Sequence, residues 1–125
     1  MTKDIILEIT TNGSGAATVK APSGVLGKLE AIEYIPGTLA TGATVTITCN
    51  GIDGASWPLL TLTSPGTSNL RKYPRDLVHG VADGVALTGT AGGDRTCPLL
   101  AGVPQVVVAS GGATAKGKVV LYYKD

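Results

Sequence analysis

The sequence predicts an all-β chain: a single-domain β-sandwich or small barrel of about eight or nine short, mostly antiparallel strands. Three observations carry this. Thr, Val and Ile recur in short alternating runs, the pattern of a pleated strand with one buried face. Gly and Pro, 18 and 7 of the 125 residues, interrupt the chain at short intervals, as turns between short strands do. The apolar spacing of an amphipathic helix is nearly absent. A chain of 125 residues is long enough for one hydrophobic core and too short for two large ones. Residues 1–125 are therefore expected to form one domain.

Each element has its own signal. Ile5, Leu7 and Ile9 alternate with Ile6, Glu8 and Thr10, and Asn12-Gly13-Ser14-Gly15 then reads as a turn. Ile6 points outward beside Glu8 in this pattern. Residues 1–12 are accordingly either the first strand of the sandwich or a docking arm, an edge strand that adds to a neighbour's sheet. Ala17–Lys20 is a short strand stopped by Ala21-Pro22-Ser23-Gly24. In Val25–Ile35, Leu29 and Ala31 share one face with Lys28 and Glu30 opposite, but Ile32 and Tyr34 are the next natural inward pair. That slip of phase predicts a β-bulge near Ala31 and Ile32. Pro36-Gly37 marks a turn. Residues 43–50 form the clearest strand, with Val45, Ile47 and Cys49 inward and Thr44, Thr46 and Thr48 on a solvated face. Asn50-Gly51 and Asp53-Gly54 read as turns. Leu60 and Leu62 alternate with Thr61 and Thr63, and Ser64-Pro65-Gly66 closes that strand. Residues 67–83 are irregular, and Pro74 excludes a central strand there. A short strand is expected at 85–87. Residues 105–109 and Lys116–Lys124 complete the set as a hairpin with a longer loop, with Val119, Leu121 and Tyr123 inward and Val120 and Tyr122 outward.

Composition limits the function. Hydrophobic residues make up 43% of the chain and charged residues 15%, and ten Lys and Arg against nine Asp and Glu leave a net charge of +1. Binding to a nucleic-acid backbone needs clustered cations, so no nucleic-acid partner is expected. No run approaches the ~20 apolar residues that cross a bilayer, so no membrane partner is expected either. The apolar run in Met1–Leu7 is too short for a secretory signal. A reducing cytoplasm is the expected site of folding. Cys49 and Cys97 are the two cysteines. A small buried thiol at Cys49 and a Cys49–Cys97 disulfide are both open readings. No metal-ligand spacing exists, and no cofactor is expected.

No catalytic signature emerges. His79 follows Arg75 and Asp76 with no nucleophile close by. The carboxylates are scattered, and nothing selects a pair for acid–base work. Gly111-Gly112 precedes a strand and lacks the Lys-Ser/Thr of a phosphate loop. Trp57 is the only Trp, and it reads as core or rim packing or as a sugar-stacking platform. Arg71, Lys72, Tyr73 and Arg75 read as a solvated loop or as a protein interface, where Tyr and Arg are enriched.

The sequence resembles a family of small β-rich proteins encoded among the head genes of tailed bacteriophages. The residues that carry the resemblance are Glu33-Tyr34-Ile35-Pro36, Tyr73-Pro74-Arg75 with Val78-His79, and the tail from Gln105 through Ser110-Gly111-Gly112 to Gly117-Lys118-Val119-Val120. The resemblance implies a virion structural protein, assembled in the host cytoplasm and without enzymatic activity. Its first expected role is a capsid decoration (cement) protein that binds the major capsid protein and itself, as a trimer before a dimer. Within the same class stand a head–tail connector and a tail protein. In another class stands a carbohydrate- or receptor-binding module. The expected interface residues are Ile6, Glu8, Arg71, Lys72, Tyr73 and Arg75.

Overall fold

The computed structural model describes residues 2–51, 56–77 and 95–124. Among them run β1 (Thr2–Thr10), β2 (Ala17–Lys20), β3 (Val25–Ile35), β4 (Thr44–Asn50), β5 (Ser56–Thr63), β6 (Leu70–Lys72), β7 (Asp76–Leu77), β8 (Arg95–Thr96), β9 (Leu99–Ala109) and β10 (Lys116–Lys124). Every pairing is antiparallel. Eight strands share one hydrogen-bonded sheet in the order β1-β10-β3-β9-β4-β5, with β2 added to β9 and β6 to β3. β7 and β8 form a separate ribbon. The described residues are all-β and form a single domain, as the alternation predicts.

The sheet folds over on itself because one face of nearly every strand is apolar. β3 makes the corner. Lys28 pairs with Leu99 of β9 on one edge and with Lys124 of β10 on the other. Before it, β3 runs beside β9; after it, β3 runs beside β10. One layer is thus β1, β10, β3 and β6, and the other is β2, β9, β4 and β5. Their inner faces meet in one cluster: Leu7, Ile32, Tyr34, Val119 and Leu121 from the first layer against Val45, Ile47, Leu62, Val106 and Val108 from the second. Thr44 and Thr46 pair with Thr63 and Thr61 on the outside of the second layer, where the alternation places them, whereas the Thr48 hydroxyl, expected in solvent, is buried.

Several local expectations shift. Tyr122 pairs with Ala31 and Tyr123 with Leu29, so the extra residue of the bulge is Glu30, one place before the expected position. Ala31 therefore joins the outer face with Tyr122 and does not share a face with Leu29. A second irregularity at Leu59 separates Ile47–Leu60 from Thr48–Pro58. Pro58 is tolerated because β5 is an edge strand. β9 begins at Leu99, well before 105, because Gly102 and Pro104 lie within it without breaking it. Gly102 has φ +127°, and a Cβ there would overlap the Asn50 carbonyl. Only glycine fits where β3, β9 and β4 crowd together. Pro104 lacks an N–H, yet its carbonyl accepts the Ala21 N–H at 2.9 Å.

The expected hairpin of the last two long strands does not form. β9 pairs with β2, β3 and β4, whereas β10 pairs with β1 and β3. Val106 and Val108 face Val119 and Leu121 across the core, which requires the two strands to lie in opposite layers. The connection at 110–115 is an arch between layers. The expected strand at 85–87, the Asp53-Gly54 turn, Val78 and His79 lie outside the described residues.

Candidate functional site

The outer face of the β1-β10-β3-β6 layer is built from cross-strand rows. In the middle row, Ile6 pairs with Val120, Val120 with Glu33, and Glu33 with Arg71. On one side lie Glu8, Lys118 and Ile35; on the other lie Asp4, Tyr122 and Ala31. Direct opposition brings such side chains to roughly 4.5–5.5 Å between Cβ atoms. Val120 is only 6% exposed although it lies outside the core cluster, so this face has a small apolar centre of its own. Ile6 sits beside it at 53% exposure.

Charge surrounds that centre. Arg71 Nη2 donates to Glu33 Oε2 at 2.6 Å. Its guanidinium carbon lies 6.0 Å from the Tyr122 ring centroid, a cation–π distance. Hydrogen bonds to Glu33 and then to Tyr73 raise the Arg71 pKa above its usual value. Tyr73 borders a shallow hollow with Thr2, Ala31, Arg71 and Tyr122. Glu8 stands opposite Lys118 in the register.

The six expected interface residues separate on inspection. Ile6, Glu8, Arg71 and Tyr73 share this face. Lys72 pairs with Ile32, so its register position belongs to the inner side of the layer, at the exposed edge. Arg75 Nη1 donates to the carbonyls of Glu30 at 2.9 Å and Pro74 at 2.7 Å. Arg75 thus ties the segment after β6 to the bulge in β3. Residues 2–10 pair with β10 along their whole length, and Leu7 and Ile9 among them are buried in the core. They form an edge strand.

A second surface lies at the other end of β3 and β9. Trp57 is 63% exposed, in the company of Leu26 at 69% and Leu99 at 65%. The sequence pattern marks Trp57 but passes over both leucines. The available signal is the doublets Val25-Leu26 and Leu99-Leu100: a strand with one buried face can bury only one residue of each. Cys49 lies beneath this end as a free thiol, and Cys97 is also free. Burial raises the Cys49 pKa, and a backbone hydrogen bond at Ala101 partly opposes the shift. Cys97 instead lies 3.6 Å from Glu30 Oε2.

No family model, curated protein or solved structure matches the chain.

Proposed function

We propose that the chain is a virion structural protein of a tailed bacteriophage, a head decoration (cement) protein that binds the major capsid protein through the outer face of its β1-β10-β3-β6 layer. The observation that carries the reading is the exposed Ile6 next to the apolar Val120, ringed by Glu8, Lys118, Glu33 and Arg71. An apolar centre with a charged rim is the anatomy of a protein interface. The sequence motifs support it from another direction, since Glu33 lies in this face and Tyr73 borders its hollow. β10 and β3 are flanked on both edges, so the face is held rigidly and binding costs little ordering. A modest contact of this kind, repeated over a lattice, stabilises a shell without any cofactor.

The test is co-sedimentation with purified capsids. The wild-type chain is expected to bind at high copy number and to raise the capsid melting temperature. Ile6→Lys and Arg71→Glu are expected to weaken binding at least tenfold while the chain stays folded. Absence of binding overturns the reading. Binding confined to the neck or tail reassigns the chain to the connector or tail role.

The exposed Trp57 is the observation that favours a glycan-binding module. Its surroundings argue the other way. Gly24, Leu26, Pro58, Leu59, Leu99 and Ala101 border it. None of these side chains offers a hydrogen bond to a sugar hydroxyl.

A further inference from the structure

We infer that the end of the sandwich around Trp57 is the surface through which copies of this chain associate with one another. Two open hollows meet there and share Trp57 and Ala101. Leu26 borders the first hollow; Pro58 and Leu99 border the second. They make one continuous apolar patch with three large side chains each about two-thirds exposed, Trp57 at 63%, Leu26 at 69% and Leu99 at 65%. Isolated exposed leucines are ordinary, but a contiguous patch of this kind marks an interaction surface.

The occupant is a second copy for two reasons. The first is charge. Among the described residues no Asp, Glu, Lys or Arg lines either hollow, and Lys28, opposite Leu99, stands at the border. Such a surface demands no complementary charge, so a symmetry axis can lay it against itself. The chain's net charge of +1 leaves little repulsion between copies. The second reason is size. A standard interface takes about a tenth of a small protein's surface per partner, roughly 700 Å² of the 7006 Å² here. Trp57 supplies roughly 100–150 Å² of that at its exposure. Leu26, Leu99 and the flanking Val25, Pro58 and Leu59 extend the patch in both directions from it.

The inference is independent of the capsid reading and is tested on the purified chain alone. Sedimentation equilibrium is run from low to high micromolar concentration while the emission of Trp57, the sole Trp, is followed. The mass is expected to rise to a whole-number multiple, and Trp57 emission to shift to shorter wavelength along the same curve. Leu99→Lys and, separately, Leu26→Lys are expected to weaken association at least tenfold. Both sites are exposed, so circular dichroism should be unchanged. Ile6→Lys, on the other surface, should associate like the wild type. A monomer at every concentration overturns the inference. So does an oligomer that Ile6→Lys dissolves and Leu99→Lys does not, or an association that leaves Trp57 emission where it was.

Discussion

Tyr34 packs near the end of β3 with its ring in the core, and its hydroxyl meets no hydrogen-bond partner among the described residues. A hydroxyl buried in that way costs ~1–3 kcal/mol in proteins. Tyr34→Phe deletes the oxygen and keeps the ring, so the variant is expected to be more stable by about 1 kcal/mol, read as a higher urea midpoint at unchanged slope. The same burial raises the Tyr34 pKa above 10.0, and burial likewise raises that of Cys49 above 9.0. Both groups stay neutral in the folded chain after their unfolded counterparts have ionised. Each therefore contributes stability that is intact below the unfolded pKa and is lost as pH rises towards the folded one. Unfolding free energy should hold level through neutral pH and fall above about pH 9, first through Cys49 and then through Tyr34. In Tyr34→Phe the second part of that fall should disappear. A decline that begins on the acid side of neutrality would remove burial of these two groups as the cause.

The connection between β9 and β10 shows what an element can hide from a local reading. Ser110-Gly111-Gly112 between two alternating runs has the look of a hairpin loop, but its bonds go elsewhere. The Gly111 N–H donates to the Gly15 carbonyl at 2.8 Å, and the Gly111 carbonyl accepts the Ala40 N–H at 2.9 Å. Thr11 fastens the far side: its hydroxyl donates to the Gly112 carbonyl at 2.6 Å and accepts the Ala115 N–H at 2.7 Å. Thr11→Val keeps the shape and leaves the buried Ala115 N–H without its partner. It is expected to cost about 1–3 kcal/mol, whereas Thr38→Val, at an exposed clamp on Lys116, should cost less. Equal losses at the two sites would show that burial of the Thr11 bonds adds nothing. Alternation within a strand was legible from residues alone, because the pleat is a local property: Thr44–Asn50 and Lys116–Lys124 follow their side-chain patterns, and Val25–Ile35 departs from its own only by the place of the bulge. Which strands lie side by side was not legible, since Ile6 reaches Arg71 only through Val120 and Glu33. The length of β9 was hidden for a related reason. Gly102 and Pro104 read as breakers, and only the crowding against Asn50 and the Ala21 bond show why they are kept.

At the scale of the molecule, two surfaces of opposite character lie on one nearly neutral body. The Ile6 face mixes an apolar centre with Glu8, Lys118, Glu33 and Arg71, while the hollows at the Trp57 end have no charged residue among the described ones that line them. The edge strand β1, with Lys3, Asp4 and Glu8 along it, is the kind of charged edge that resists indiscriminate sheet addition, which keeps association at chosen surfaces. Salt should separate the two. Exposed charges more than a Debye length apart are screened, and that length shrinks from ~30 Å at 0.01 M to ~3 Å at 1 M. Steering of the Ile6 face towards a partner depends on such charges, so capsid attachment is expected to slow and weaken as sodium chloride rises. Burial of Trp57, Leu26 and Leu99 has no such dependence, and sulfate, which is excluded from apolar surface, should tighten it. Measured on one preparation, rising chloride should release the chain from capsids while its self-association constant stays level, and sulfate at equal ionic strength should raise that constant. If chloride dissolves the oligomer and spares capsid attachment, the two surfaces have been assigned to the wrong partners.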